Sequence, residues 1–526
     1  VGSRAIPSGG AGRDLHLDPG GAGGPRAGLM RGLRDAIRSG RLAPGTRLPS
    51  SRSLAADLGI ARNTVAGAYA ELAAEGWLVA RQGSGTRVAP RAASGPAAEA
   101  SPPPRPEAAP RPVHDLLPGR PDVAAFPRAA WLSSARRALG AAPREALGVG
   151  DPRGRPELRL ALADYLARAR GVFAEPGRIV VCSGFHHGLG LLARVPRIRR
   201  RTLAVESYGL FAQHRLLAAE GVRTTALPVD ERGAVVGELA GRQAGAVLLT
   251  PAHQFPTGAW LHPERRAAVV DWARESGGLV IEDDYDGEYR YDREPLGALQ
   301  SLDPERVGYL GSVSKSLGPG VRLGWLVLPA GLVEEVLAVK GPWELTTGSL
   351  DQLTLADFLE SGGYDRHVRR MRQRYRRRRD QLVAALAARL PGLRVTGISA
   401  GLHAVVELPA GAERRVLREA RRRGVGLSGL AAYRHQASPG EREGPAHESR
   451  ERRGEREGGG GGEGPEGIPE VIPEGIPEGI VVGYGAPPEH GFAAALDALC
   501  LVLEAALSPR CAAPRRSRGP SATRDR

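Results

Sequence analysis

Lysine is nearly missing from this chain. Of 73 basic side chains in 526 residues, only Lys315 and Lys340 are lysines, so primary amines survive at two places in an arginine-rich composition. Cysteine is scarce too. Cys182, Cys500 and Cys511 lie far apart with no C-x-x-C pair, which excludes a disulfide framework and a cysteine zinc site. The opening VGSRAIPSGG has no apolar h-region, and no run of about 18 apolar residues occurs, so a cytoplasmic protein with no membrane segment is expected. Acid is short relative to base. The net charge of +15 and pI near 10.4 favour a polyanionic partner, although high arginine and alanine usage also follows genomic composition. A chain of this length holds two or three domains.

Against that background the surroundings of Lys315 carry weight. The stretch GSVSKSLGPGVRLGW, Gly311 to Trp325, places Ser312, Ser314 and Ser316 beside the amine and then Gly318, Gly320 and Arg322. An amine condenses with an aldehyde, which a guanidinium does not. Hydroxyls, glycine amides and an arginine together cradle a phosphate dianion. A cofactor that carries both an aldehyde and a phosphate suits this combination, and pyridoxal phosphate is the one it suggests. Two other readings compete. Ser312 to Lys315 spells the S-x-x-K nucleophile motif, but its K-T-G companion is absent, because Lys340 is followed by Gly341 and Pro342. A solvated loop lysine is the second, and the rest of the chain argues against it.

Residues 24–88 read as a small basic module. Leu29, Leu33, Ala36 and Ile37 in RAGLMRGLRDAIRSG recur at helical spacing, with Gly40 as the C-terminal cap. Ser50 and Ser51 are candidate caps of a second helix ending near Gly59, and a short turn leads to a third beginning near Ala61. Val65, Tyr69 and Leu72 give the third helix a buried stripe, which leaves Arg62, Asn63 and Thr64 facing outward as at the start of a recognition helix. WLVARQGSGTRV then reads as two strands around Gly83-Ser84-Gly85. Ten arginines stand against four acids between Arg26 and Val88, a surplus suited to phosphate neutralisation. A helical bundle with a solvated basic face is the plainer alternative, and the order of helices, turn and glycine-tipped wing weighs against it. Here GRLAPGTRLPSSRSLAADLGIARNTV and LAAEGWLVARQGSGTRV resemble the winged helix-turn-helix of the GntR family of bacterial transcription regulators. The resemblance implies double-stranded DNA as partner and Arg52, Arg62, Asn63, Thr64, Gly83 and Ser84 as DNA contacts.

Residues 1–23 are expected to be a disordered extension, and 89–112, Pro-, Ala- and Arg-rich with Pro102-Pro103-Pro104, a semi-extended spacer. From 113 to 507 helix and strand alternate: IVVCSGFHHG, TLAVESYG, AVLLTPAHQFPTG and GLVIEDDYD are short apolar runs ending in polar loops, the pattern of a largely parallel sheet wrapped by helices. Ligands bind outside the carboxyl ends of such strands.

The acidic run Glu282, Asp283, Asp284, Asp286 follows one of these ends. A carboxylate there suits a pyridinium nitrogen, and Asp283 is the one chosen. The same run fits the first positions of a calcium loop, but the twelfth is Arg293 where a carboxylate is required, so no metal is expected. Tyr285 is the candidate partner of the cofactor's phenolic oxygen, Gly184 and Phe185 in CSGFHHG open a helix at the phosphate, and Tyr208 or Phe211 is the aromatic placed to stack on the ring.

This half resembles the fold-type I aminotransferases through PGRPDVAAFPRAAW, GDPRGRPELRLALADYLARARGV, TPAHQFPTG, EDDYDGEYRYDREPL, GSVSKSLGPGVRLGW and HVRRMRQRYRRRRDQL. With the N-terminal module the chain resembles the MocR subgroup of GntR regulators, which fuse the two. That implies an α/β fold: a winged helix-turn-helix plus a pyridoxal-phosphate-dependent transferase-like domain with a mainly parallel large lobe and a small α/β C-terminal lobe. It implies a homodimer, Lys315 as the Schiff-base lysine of an internal aldimine, Asp283 at the ring nitrogen, Tyr285 at the phenolate, Ser312, Ser314 and Arg322 at the phosphate, and His253 in the loop beneath the cofactor. The arginine-rich HVRRMRQRYRRRRD is expected to be a solvated connecting helix.

Several positions depart from the enzymes. Val149 stands where a tyrosine often reaches a neighbouring subunit's phosphate, and His186 and His187 replace amide side chains after the phosphate-loop glycine, where helix-start roles are expected. Phe255 replaces an asparagine, and IVVGYGAPPE has no arginine where a substrate carboxylate is usually clamped. A regulator that senses the cofactor, or an amine or amino acid captured by it, is therefore expected over the alternatives, an active aminotransferase with an accessory DNA module or a scaffold without cofactor. Residues 436–478, with Gly458 to Gly462 and IPEVIPEGIPEG, read as a low-complexity insertion, and 508–526 as a basic disordered tail.

Overall fold

The structure is a computed structural model that describes residues 4–6, 15–17, 23–81, 85–90, 112–291, 296–341, 347–435 and 478–508. Gly83 and Ser84, the spacer from 91 to 111, the insertion from 436 to 477 and the tail from 509 lie outside the described residues. The chain divides into two compact units, Val1–Pro110 and Arg111–Arg526.

In the first unit, β1 (Arg4–Ile6) pairs antiparallel with β2 (Leu15–Leu17). These six residues lie within the stretch expected to be a disordered extension, most of which is outside the described residues. Helix α1 (Gly24–Arg38) buries Leu29, Leu33, Ala36 and Ile37, and Ser39 caps it, with Gly40 next in the left-handed region. Helix α2 (Ser51–Leu58) starts on Ser50, whose hydroxyl accepts the Ser53 amide at 3.1 Å; Ser51 is already helical. Gly59, at φ 67°, closes α2, and α3 (Arg62–Ala74) buries Val65, Ala68, Tyr69 and Leu72 in a core shared with the first two helices. The Tyr69 hydroxyl donates to the Pro49 carbonyl at 3.1 Å, tying α3 to the approach of α2. Strands β3 (Leu78–Arg81) and β4 (Gly85–Val88) form the antiparallel wing, in register from Leu78 with Val88 to Arg81 with Gly85.

The second unit opens with β5 (His114–Asp115), α4 (Arg128–Ala141) and α5 (Pro156–Arg170). Next come β6 (Ile179–Cys182), α6 (Phe185–Arg194), α7 (Pro196–Arg199), β7 (Thr202–Glu206), α8 (Phe211–Ala219) and β8 (Thr224–Leu227). A hairpin of β9 (Val229–Asp230) and β10 (Gly233–Ala234) leads to β11 (Ala244–Leu249), α9 (Pro263–Ser276), β12 (Leu279–Asp283), β13 (Val307–Ser312) and β14 (Gly324–Val327). Seven of these strands make one sheet ordered β6-β14-β13-β12-β11-β7-β8. Pairing is parallel from β13 through β8 and antiparallel on both sides of β14. Strands such as IVVC and AGAVLL are buried along their whole length, as a sheet covered on both faces requires.

Helices α10 (Ala330–Lys340), α11 (Ser349–Glu360) and the 27-residue α12 (Gly363–Arg389) lead into the small lobe. It comprises β15 (Val395–Thr396), β16 (His403–Leu408), α13 (Glu413–Arg422), β17 (Val425–Gly426), β18 (Ser428–Gly429), β19 (Glu478–Gly483) and α14 (Phe492–Leu507). Its sheet runs β15-β16-β19-β18, all antiparallel, while β17 pairs with β5. In α12, Tyr364, Val368, Met371, Tyr375, Leu382 and Leu386 are buried and Arg366, Arg369, Arg370, Arg376 and Arg377 exposed, so the arginine-rich segment is a connecting helix with a solvated face. The stretch Glu489–Leu507 is long and apolar enough to cross a membrane by length and composition, yet Phe492, Leu496, Leu499, Val502 and Leu503 bury it in the core.

One ion pair locks α5 to the loop after β12. Arg170 Nε and Nη2 donate to the Asp284 carboxylate at 2.7 and 2.9 Å, with both side chains 1% exposed, and the Tyr309 hydroxyl donates to the same carboxylate at 2.7 Å. Arg170→Ala strands a buried carboxylate, and an expected loss of about 3–5 kcal/mol is measurable from the urea-unfolding midpoint.

Candidate functional site

The sheet's carboxyl ends converge by register. Asp283 on β12 lies opposite Leu310 on β13, and β14 runs back with Gly324 opposite Ser312 on one side and opposite Cys182 of β6 on the other. Segments distant in sequence thus meet: Asp283 to Tyr285, Ser312 to Lys315, Arg322, and the Gly184-Phe185 start of α6. Between them is a cavity of about 180 Å³ lined by Lys315, Asp283, Tyr285, Ser312, Ser314, Arg322, Phe185 and Tyr208 among others.

The two lysines do different work. Lys340 is buried, and its Nζ donates to the carbonyls of Pro152 at 2.6 Å and Val181 at 2.9 Å, an anchor for α10. Lys315 faces the cavity and donates to the Gly119 carbonyl at 2.5 Å. Burial pushes its pKa down, and Asp286 and Asp283 partly oppose that shift, so its amine is held nearer its nucleophilic neutral form.

The four acids separate by face. Glu282 accepts the backbone amides of Leu299 and Gln300 at 2.8 and 2.9 Å, Asp284 is held by Arg170, and Asp286 meets His253 Nδ1 at 2.9 Å. Asp283 alone of the four lines the cavity. Burial, with the charge of Asp284 second, drives its pKa well up. A buried carboxyl facing an opening is a site for a cationic donor, and a pyridinium nitrogen fits that need. At the other end, a Cβ built on Gly184 would lie 3.7 Å from both Arg322 Nη1 and Ser314 Oγ. Glycine there, at φ 94° as the N-cap of α6, keeps the cradle open for a phosphate.

Some expectations are relocated. The Tyr285 hydroxyl is 3.0 Å from His253 Nδ1, so Tyr285 lines the cavity with its polar end turned to a histidine. His253 is buried behind it, outside the lining. Ser316 does not join the cradle: it accepts the Tyr364 hydroxyl at 2.8 Å on the far side of the turn. Phe211 is 54% exposed, so of the two stacking candidates it is Tyr208 that lies in the lining. His187 Nδ1 accepts the Ser183 amide at 3.0 Å, a helix-start role, whereas His186 lines the cavity. Phe255 also lines it and packs edge-on against Tyr285. Val149 is 71% exposed.

Sequence reasoning missed Glu206, Gly119 and His214, all in the lining. Glu206 accepts the Thr250 hydroxyl at 2.5 Å and Gln254 Nε2 at 3.3 Å, and burial pushes its pKa up to about 7. As the last residue of β7 it stood where the strand-end rule points. His253, Asp286 and His403 also bring donor atoms within 4.8 Å of one another. Their contacts are internal, His253 Nδ1 to Asp286 and Tyr285 and His403 Nε2 to the Pro256 carbonyl at 3.1 Å, which fits a support under Tyr285.

In the first unit, Arg52, Arg62 and Asn63 are exposed on α2 and at the start of α3, and Thr64 is half-buried.

Comparison with known proteins agrees with both units. Residues 26–88 match the family described as bacterial regulatory proteins, gntR family, and residues 122–428 match aminotransferase class I and II. The chain is 36% identical over 378 residues to the HTH-type pyridoxine biosynthesis transcriptional regulator PdxR of Corynebacterium glutamicum, covering 72% of this chain and 82% of that protein. It is 32% identical to the probable rhizopine catabolism regulatory protein MocR of Rhizobium meliloti, covering 78% and 87%. Among solved structures it resembles a kynurenine aminotransferase of Pyrococcus horikoshii, with a TM-score of 0.62, 22% identity and coverage of 75% and 92%, a likeness of fold. The chain belongs to the GntR family of bacterial regulatory proteins, in the MocR subgroup that joins the DNA-reading helices to an aminotransferase-like domain.

Proposed function

We propose that this chain is a cytoplasmic transcription regulator that binds pyridoxal phosphate on Lys315 and reads DNA according to the state of that site. The observation that carries the reading is the convergence of Lys315, Asp283 and Arg322 on one cavity. Bound there, the cofactor supplies an aldehyde carbon that condenses with an amine, releasing one water. Lys315 Nζ is the attachment point, Asp283 holds the proton of the ring nitrogen, and Ser312, Ser314, Arg322 and the amides of Gly184 and Phe185 bind the phosphate. Tyr208 covers the ring, and His253 orients Tyr285 from behind.

The route to DNA that we infer begins at Gly119. Its segment starts where the spacer ends and is pinned at Asp122, whose carboxylate accepts Arg374 and Arg378 at 3.0 Å and whose amide donates to the Tyr375 hydroxyl at 3.0 Å. Occupying Lys315 Nζ replaces the donor to Gly119, and a ligand acts only through such a difference in affinity between two arrangements. We infer a homodimer, in which exposed apolar side chains such as Val123, Leu132, Leu139, Leu147, Val149 and Leu160, each at least half exposed, are candidates for burial. The Corynebacterium relative is named as a regulator of pyridoxine biosynthesis, which agrees with vitamer sensing.

Two outcomes are expected. Purified chain mixed with pyridoxal phosphate shows a visible absorption band, and borohydride fixes the added mass on the peptide carrying Lys315 and not on that carrying Lys340; Lys315→Ala removes both, and a wild type with no band defeats the reading. On a DNA site selected from random sequence, Arg62→Ala weakens binding by about 1–3 kcal/mol, roughly 5- to 150-fold, read by fluorescence anisotropy; unchanged affinity removes Arg62 from the interface.

A further inference from the structure

The phosphate end of the cavity is short of positive charge. Among the described lining residues the permanent cation there is Arg322, since Lys315 is the attachment point. A phosphate ester carries roughly two negative charges at neutral pH, so Arg322 leaves about half of that charge unmatched. Ser312, Ser314 and the amides at the start of α6 donate hydrogen bonds without charge. Asp283 and Glu206, the acids of the lining, offer none.

One side chain at that end can supply the difference. His186 is the second residue of α6 and lines the cavity with Ser314 and Arg322. Gly184, the N-cap just before the helix, carries the cradle: a Cβ built on it would lie 3.7 Å from both Arg322 Nη1 and Ser314 Oγ. The His186 ring stays accessible, meets the Phe185 ring edge-on with centroids 5.4 Å apart, and makes no hydrogen bond or ion pair among the described residues. The other histidines nearby are committed. His187 Nδ1 accepts the Ser183 amide at 3.0 Å, and both ring nitrogens of His214 are buried out of a ligand's reach.

Partial burial pushes the His186 pKa down, and the charges of Lys315 and Arg322 add to that shift. The imidazole of the empty site is therefore neutral at neutral pH. A phosphate dianion placed beside Arg322 reverses the local sign, and attraction to it outweighs the repulsion that had kept the ring neutral.

We propose that His186 takes up a proton from solvent when a phosphorylated vitamer binds and donates a charged hydrogen bond to its phosphate, which makes the site's preference for the phosphorylated form fall as pH rises. The inference rests on the cofactor reading above. Phosphate raises the imidazole's hold on its proton. The added affinity is thus fully present below the pKa of the ring in the empty site and is lost as pH rises through its higher value in the complex. Other lining groups respond to the parts of the ligand that an unphosphorylated vitamer shares. Lys315 meets the aldehyde, and Glu206, pushed by burial up to about 7, shares the ring's end of the lining with Asp283. Tyr208 and Tyr285, both pushed up by burial, stay neutral throughout.

The test compares pyridoxal phosphate with pyridoxal on the full chain freed of cofactor. Dissociation constants are measured by equilibrium dialysis from about pH 6 to about pH 9, in wild type, His186→Gln and His186→Arg. The ratio of the two constants isolates the phosphate, and the ligand's own ionisation is common to all three proteins. At the acid end the preference of wild type for the phosphorylated form is expected to exceed that of His186→Gln by roughly tenfold, and at the alkaline end the two converge. His186→Arg, a permanent cation, keeps the excess across the range. An equal preference in wild type and His186→Gln at every pH overturns the proposal. So does a difference that does not change with pH, or an arginine variant that loses the preference as the glutamine variant does. A wild type that binds pyridoxal phosphate without forming an absorption band, or does not bind it, removes the cofactor reading itself, and that failure is visible before any ratio is taken.

Discussion

An amine stripped of water and set beside buried carboxylates is the constraint on which the site depends. Desolvation alone pushes the Lys315 ammonium toward its neutral form, while Asp286 and Asp283 pull it back. Asp283 is itself driven up by burial. Burial opposes the charged form of both groups, and the proposed cofactor would relieve both by presenting an aldehyde to one and a protonated nitrogen to the other. The Arg170 and Asp284 pair, one residue beyond, neutralises the next acid in the run and leaves Asp283 as the one turned toward the opening. The buried pair is thus part of the site's electrostatics as much as of the fold's stability.

Strand register converts this chemistry into geometry. Parallel pairing of β12 with β13 and antiparallel pairing of β14 with both β13 and β6 put Asp283, Ser312, Gly324 and Cys182 along one edge of the sheet. Asp283 and Ser312 line the cavity themselves, and Gly324 and Cys182 lie two residues from Arg322, in the lining, and from Gly184 at the start of α6. A one-residue slip of β12 would exchange Asp283 for Glu282 or Asp284, both occupied on the other face, because side chains alternate along a strand.

Much of this was legible in the sequence because it is local. Lys315 stood out by scarcity, the hydroxyls and Arg322 by proximity to it, and the three-helix module by spacing and turn residues. What escaped notice is assembled across long chain separations. Gly119 comes to Lys315 from 196 residues away, and His214 meets His435 across two elements with no motif in either. Orientation within a motif was also hidden. Ser316 is next to Lys315 in sequence, yet the turn after β13 sends it to Tyr364, and Tyr285 spends its hydroxyl on His253. Glu206 was reachable, since it ends a strand like the residues that were found, but nothing beside it in TLAVESYG signals the Thr250 and Gln254 partners that hold it.

The two lysines settle why scarcity was informative. In a composition that replaces lysine with arginine almost everywhere, each survivor sits where a guanidinium would fail. Lys340 sets its compact ammonium between the carbonyls of Pro152 and Val181, and a guanidinium, planar and larger, would have to meet both with a different geometry. Lys315 is retained on different grounds, since Gly119 could accept from any donor and the surrounding carboxylates would hold an arginine more firmly. What an arginine cannot do there is lose its proton, and burial lowers the pKa of Lys315 in that direction. An amine kept for charge alone would sit in water or against a full carboxylate pair; this one faces a cavity, its pKa lowered by burial, with Asp283 and Arg322 in the same lining.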